Sequence, residues 1–301
     1  MGILVIPILA VLGTIILGYF AARHGDFDEA DNKQLAKLTM KYALPLSIFI
    51  GIWETPRGQL SQYGPLAFWI LATMVVAFAI FFFYYRYGMK IEQSGSALLT
   101  LSVANASVPF IGSALLPIVF SAKVSAIIIG IYALFSNLIT IPLALALVDK
   151  QSSIARKIVD TFKNPLVFAP FAAFFLSFLG IPVPAHAEII FLAFGKAASG
   201  IALFSIGITL FTNRVVFNKL VAQTVVFHNI AIPGLLLAVM SLLNLPHDLI
   251  KMIVITMALP SPAMPVTIAI RYRIREATIA STQLISTIAS AFTIYLFMLL
   301  V

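Results

Sequence analysis

Apolar residues along this chain fall in long runs separated by short polar connections. A helix that crosses a bilayer needs about 20 mainly apolar residues. Ten runs qualify: 3–22, 34–53, 65–85, 96–120, 124–148, 165–182, 186–211, 216–243, 250–270 and 277–301. The first is read as a span rather than a cleaved signal sequence, because no basic residue precedes it and it exceeds a signal core in length.

Composition agrees with that pattern. Of 301 residues, 61% are hydrophobic and 10% charged, with a mean hydropathy of +1.06; an ordinary soluble domain carries about 25% charged residues. A disordered chain, a collagen and a disulfide-stapled secreted module are excluded. With no cysteine, neither a disulfide framework nor a cysteine-ligated metal site is possible. The fold class is all-α integral membrane.

The net charge of +8 would suggest nucleic acid in a soluble protein, but here it reads as topology. The connections at Arg23–Lys41, Arg86–Lys90, Lys150–Lys163, Arg214–Lys219 and Arg271–Arg275 hold 15 of the 19 Lys and Arg residues. The opposite side holds Arg57, Lys123 and Lys251, and Lys196 lies inside a span. The bias places the rich connections in the cytoplasm and both termini outside, in a multi-pass protein of the cell membrane. Lys33, Lys37 and Lys41 read as snorkelling and anionic-lipid contacts. The cluster Asp26, Asp28, Glu29 and Asp31 lacks the pattern of a calcium loop and is expected to cap the second helix.

The chain also carries a weak internal repeat. Ile139–Val148, at the end of the fifth span, aligns with Phe292–Val301, at the end of the tenth, through identities at Thr140, Ile141, Leu143, Leu147 and Val148. One step earlier, the fourth and ninth spans are both interrupted: Asn105, Ser107, Pro109 and Gly112 in one, Pro260, Ser261, Pro262 and Pro265 in the other. Two five-helix repeats follow, over 1–150 and 151–301, and because five is odd the second is inverted. Paired interruptions at equivalent places in inverted repeats point to a secondary transporter and its binding site.

Proline inside a helix removes a hydrogen bond and clashes with the preceding turn, at a cost of about 3 kcal/mol. In hydrocarbon the freed groups need protein, water or a ligand. Breaks at mid-membrane would start two half-helices there, each presenting unpaired N–H groups and about half a positive charge. An anion could sit between them. The single prolines Pro45, Pro142 and Pro233 are read as simple kinks.

Lys196 lies deep in the seventh span, where no Asp or Glu sits at comparable depth. An intramembrane charge is a functional candidate by default, and an unpaired lysine favours an anionic cargo. Binding backbone carbonyls of a broken helix is its structural alternative. The small residues Gly195, Ala197, Ala198, Ser199 and Gly200 are expected to allow close helix approach there. His228 and Asn229 in the eighth span read as an interhelical hydrogen bond or, for the histidine, proton coupling. Asn137 and Gln283 are cavity candidates or helix glue. No resident cofactor or metal is expected; the coupling ion would be sodium or a proton.

In order and spacing these segments resemble the auxin efflux carrier family, whose bacterial members include malonate and malate transporters. Lys41–Phe49 looks like the family's second-helix Leu-Pro signature. Gly195–Ala198 with Ala202–Gly207 looks like its seventh-helix segment. One departure stands out: around Gly112, the positions of the family's Asn and Pro hold Ser107 and Ala114. The resemblance implies ten spans with crossing fourth and ninth helices. Helices 1, 2, 6 and 7 would form a scaffold, and helices 3–5 and 8–10 a moving transport part. It also implies a homodimer and elevator-like alternating access, with Lys196 on the scaffold side.

The expected function is therefore a carrier of a small organic anion, a carboxylate such as malonate, malate or an auxin-like acid. The half-helix ends near Pro109 and Pro265 would hold it, with Asn105, Ser107 and Ser261 orienting it. A sodium-coupled bile-acid-type symporter is the close alternative, and a channel or sensor a more distant one. An intramembrane enzyme is disfavoured, because the spans contain no HExxH, no GxSxG and no acidic metal cluster.

Overall fold

A computed structural model describes residues 2–148, 163, 165–184, 186–212 and 215–301, with backbone alone for 2–12, 59, 188, 190, 192–196, 198 and 199. In chain order the α-helices are α1 (Gly2–His24), α2 (Glu29–Leu38), α3 (Leu44–Trp53), α4 (Arg57–Leu60), α5 (Gly64–Phe83), α6 (Gln93–Ala104), α7 (Ser113–Val119) and α8 (Ala122–Phe135). They continue as α9 (Ile141–Val148), α10 (Pro165–Phe178), α11 (Ala187–Thr212), α12 (Lys219–Val226), α13 (Ile232–Leu242), α14 (His247–Met257), α15 (Met264–Tyr272) and α16 (Glu276–Leu300). No strand occurs among the described residues. Among the described residues, six stretches are long and apolar enough to cross a membrane: Glu29–Trp53, Ser61–Gly88, Gln93–Val119, Ala122–Val148, Lys219–Leu242 and Glu276–Leu300.

Several of these stretches are continuous only because a wide π-helical turn joins two α-helices. Such turns occupy Thr39–Ala43, Tyr84–Gly88, Val108–Gly112, Ser136–Thr140 and Phe227–Ala231. Pro45, Pro142 and Pro233 each lie two residues beyond the end of one. A proline has no N–H to donate and its ring crowds the carbonyl four residues back. One extra residue in the turn moves that carbonyl aside, so three apparent kinks are π-turns, a feature frequent at functional sites.

The chain forms two compact units. The first comprises Met1–Gln62, Pro109–Leu134 and Phe162–Asn213. In it α1 lies along α11, and α10 and α11 both pack on α3. Glycine permits the closest approach: a Cβ on Gly18 would strike the Phe204 carbonyl, and one on Gly207 would strike the Ile15 carbonyl and the Tyr19 nitrogen. Side-chain hydrogen bonds tie down the periphery, from Asn32 Nδ2 to Thr209 Oγ1 (2.7 Å), Trp53 Nε1 to the Ile181 carbonyl (2.9 Å) and Ser177 Oγ to the Thr55 carbonyl (2.6 Å). The expected cap is present: Asp28 accepts from the Asp31 N–H at 2.9 Å and Asp31 from the Asp28 N–H at 3.1 Å. The backbone N–H groups of Asp31 and Ala30 hold the Asp28 carboxyl below its ordinary pKa.

The second unit comprises Tyr63–Val108, Phe135–Thr161 and Arg214–Val301. Its centre is α6, on which every residue from Gly95 to Ala104 is buried. Helices α5, α9, α15 and α16 pack around it. The outward faces are apolar, with Phe68, Phe83, Leu235, Leu242 and Phe292 all largely exposed. Such a surface is stable against hydrocarbon rather than water. At one end, Arg275 Nε and Nη2 donate to the two oxygens of Glu92 at 2.6 and 2.7 Å. This forked contact holds the Glu92 carboxyl below the ordinary carboxylate range.

Candidate functional site

The second unit brings the two proline-rich segments together. Helix α6 stops at Ala104, Asn105–Ser107 are non-helical, and the π-turn Val108–Gly112 follows. Helix α14 stops at Met257, and Ala258–Ala263 run without helical structure to the start of α15. The prolines explain the second gap, since Pro260, Pro262 and Pro265 each remove a backbone donor. The Ser107 N–H donates to the Pro260 carbonyl at 2.7 Å, so the two gaps bond through their main chains.

A chain of side-chain bonds reinforces that contact. Ser261 Oγ donates to the Ser102 carbonyl (2.8 Å), and the Ser261 N–H donates to Ser286 Oγ on α16 (2.8 Å). Ser286 Oγ in turn donates to Asn229 Oδ1 (2.6 Å), whose Nδ2 donates to the Ser286 carbonyl (3.0 Å). His228 completes the set. Its Nδ1 lies 2.8 Å from the Val103 carbonyl and its Nε2 lies 2.8 Å from the Leu259 carbonyl. His228 and Asn229 sit on the π-turn between α12 and α13 and are buried. The imidazole therefore touches the ends of both interrupted helices.

Asn105 faces the other way. Its Nδ2 donates to Ser136 Oγ (2.9 Å) and Thr140 Oγ1 (2.8 Å) on the π-turn that joins α8 to α9. Its Oδ1 is buried with no partner, an acceptor free for a ligand. Asn137, on the same turn, is buried and hydrogen-bonded or otherwise engaged. Gln283 bonds only weakly within its own helix, to Thr287 Oγ1 at 3.4 Å.

The remaining expected positions divide as follows. Pro260 and Pro265 are buried, Pro262 is half-buried, and Ala263 beside it is exposed. Helix α15 starts at this exposed point with no side-chain cap. Pro109 and Gly112 belong to the first unit. So does Lys196, on α11, whose side chain lies outside the described residues. Of the small residues around Lys196, the described side chains show Ala197 and Gly200 exposed, and a Cβ on Gly200 would meet nothing within 4 Å; Gly195, Ala198 and Ser199 lie outside the described side chains. Close approach occurs two turns further on, at Gly207.

Sequence reading did not select Ser102, Ser136, Thr140 or Ser286 as site residues. One signal was available. Thr278, Thr282, Ser286 and Ser290 recur every fourth residue along α16, a stripe of hydroxyls on one face of the helix. Among the described residues, no group of three or more His, Asp or Glu could hold a metal ion.

Comparison with known proteins fits this architecture. The sequence profile of the membrane transport protein family matches residues 3–157 and 151–298. An uncharacterized transporter of Escherichia coli (strain K12), YfdV, is 29% identical over 283 residues, covering 90% of this chain and 89% of that protein. YfdV of Escherichia coli O157:H7 and of Shigella flexneri match to the same extent.

Proposed function

The chain belongs to the membrane transport protein family, that of the auxin efflux carriers, and from that premise we propose that it is a secondary transporter of a small organic anion. The cargo is a carboxylate such as malonate, malate or an auxin-like acid, moved by alternating access. The observation that carries this reading is the uncapped start of α15 at Ala263–Pro265, immediately after a non-helical gap. A helix N-terminus with unsatisfied N–H groups favours an anion. Asn105, Ser107 and Ser261 lie on the two bonded gaps of the same unit; Ser261 acts by fixing the gap, since both its donors are spent on protein. No Asp or Glu occupies the middle of a span to compete for that site.

The wider architecture is part of the proposal: ten spans in two inverted five-helix repeats, with the interrupted fourth and ninth crossing. Both termini lie on the outer side of the cell membrane. A scaffold of helices 1, 2, 6 and 7 and a moving part of helices 3–5 and 8–10, working in an elevator-like cycle, belong to the same reading. The open small-residue face at Ala197 and Gly200 supports a homodimer. Lys196 supplies attraction for the anion. Uptake by purified protein in liposomes tests the reading, and Lys196→Ala with unchanged transport and anion selectivity would remove the lysine from it.

A sodium-coupled variant, of the bile-acid symporter type, is favoured by the free Asn105 Oδ1 beside two hydroxyls. Equal accumulation in sodium and in choline buffers would exclude it.

A further inference from the structure

We propose that His228 is the proton-coupling group of this transporter, and that its doubly protonated ring clamps the two interrupted helices together; this rests on the carrier reading above. Both ring nitrogens face carbonyl oxygens at 2.8 Å, Val103 on one side and Leu259 on the other. A neutral imidazole has one N–H and one lone pair, so it can satisfy only one of two acceptors. The other nitrogen would then point a lone pair at an oxygen at hydrogen-bond distance. Only imidazolium donates to both.

Burial of a charge away from water is costly, and here its compensation is specific. Val103 is in the last turn of α6 and Leu259 lies two residues beyond the last residue of α14. Carbonyls at helix C-termini lack intrahelical partners and carry a partial negative charge, which favours a cation, a histidine included. Two such ends converge on one ring. No acid contributes. Helix α6, α13 and the 258–263 segment carry no ionisable residue; those on α12 and α16 are Lys219, Glu276 and Tyr295, those on the turn whose Tyr84 ring meets Phe227 are Tyr84, Tyr85, Arg86 and Tyr87, and those on α14 are His247, Asp248 and Lys251. None of these is hydrogen-bonded to the imidazole.

The proton balance is simple. Imidazole takes one proton from water on one side of the membrane, becomes imidazolium, and returns that proton to water on the other. With the proton bound, both gaps are tied to the π-turn that carries His228. Without it, one of the two bonds is lost and one gap is untied from that π-turn, leaving the Ser107–Pro260 and Ser261–Ser102 bonds alone to join the two interrupted helices. An anion at the start of α15, in the same unit, is favoured by the positive ring, so proton and cargo promote one another's binding by the same factor. Proton and anion travel together.

Two measurements test this. In the first, His24, His186 and His247 are replaced by Gln, leaving His228 as the one histidine, and the 15N-histidine-labelled protein is studied by NMR in lipid nanodiscs from pH 5 to 8. The expected result is a state with both ring nitrogens protonated that gives way to a single neutral tautomer as pH rises. A single neutral tautomer throughout would overturn the proposal, whatever the cargo. In the second, malonate uptake into liposomes at clamped potential is followed with a trapped pH dye, protein-free liposomes serving as control. Uptake accompanied by luminal acidification, lost in His228→Gln, is expected. Malonate uptake without acidification, or acidification retained in His228→Gln, would overturn the coupling and leave the carrier reading standing. Absence of counterflow for every acid tried would instead remove the carrier reading, and the NMR result would still decide the protonation of His228.

Discussion

The main-chain N–H of Ser107 donates to the carbonyl oxygen of Pro260 at 2.7 Å, which joins two segments more than 150 positions apart in the chain at the points where each has lost its helix. Neither end has a helical partner to offer, so each serves the other. In hydrocarbon that exchange matters, because unsatisfied backbone groups there cost several kcal/mol. The serine, asparagine and histidine contacts around it extend the same arrangement.

Ser286 is the branch point of that network. Replacing it with Ala strands the buried Ser261 N–H and one acceptor of Asn229. The expected loss is about 1–3 kcal/mol, the cost of leaving a buried group unsatisfied. Thermal unfolding in detergent would measure it. A Ser286→Ala, Asn229→Ala double-mutant cycle should give a coupling of about 0.5 kcal/mol or more, as expected for directly bonded residues.

Gly18 and Gly207 set the spacing of α1 and α11. Gly207→Val would place its Cβ against the Ile15 carbonyl and the Tyr19 nitrogen, and backbone cannot move aside cheaply. Overpacking of this kind costs about 1–3 kcal/mol or more, and the folded fraction on size-exclusion chromatography should fall accordingly. Gly13→Ala is the control. A Cβ there meets nothing within 4 Å, so it should be neutral or slightly stabilising.

The Glu92–Arg275 fork predicts an acid-side dependence. Arg275 holds the folded-state pKa of Glu92 below its unfolded value. Its contribution is therefore complete above the unfolded pKa and is lost as pH falls through the lower, folded one. Both side chains are partly exposed, so the effect should not exceed about 1 kcal/mol. Arg275→Ala should lower the unfolding temperature near neutrality, leave it unchanged well below the folded pKa of Glu92, and so flatten the stability–pH curve across the acid range.

The anion reading makes a charge prediction at an exposed position. Ala263→Glu puts a negative group at the uncapped start of α15, where it competes with a carboxylate cargo. Uptake should fall tenfold or more, an energy of about 1.4 kcal/mol. Ala263→Gln, of equal size and without charge, should fall far less, and equal losses in the two variants would contradict the site.

What the sequence made legible follows from covalent chemistry. Three prolines between positions 260 and 265 cannot lie inside one continuous helix, and the Asp28 cap could be placed from residue types alone. What it hid depends on the partners. Pro45, Pro142 and Pro233 looked like kinks because the π-turn before each is a matter of hydrogen-bond register, which carries no residue signature. Ser286 was passed over because serine is common in membrane helices and its importance lies in Asn229 and Ser261, on other elements. The carbonyls that His228 meets belong to Val103 and Leu259, two apolar residues that no reading of side chains would select.

Counterflow tests the central claim most directly. Liposomes bearing the purified protein and loaded with unlabelled malonate, malate or indole-3-acetate are diluted into tracer amounts of the same labelled acid. A carrier of small organic anions gives a transient accumulation of label above its equilibrium level for at least one of the three, saturable and absent from protein-free liposomes. Label that never rises above equilibrium with any of them would contradict the account.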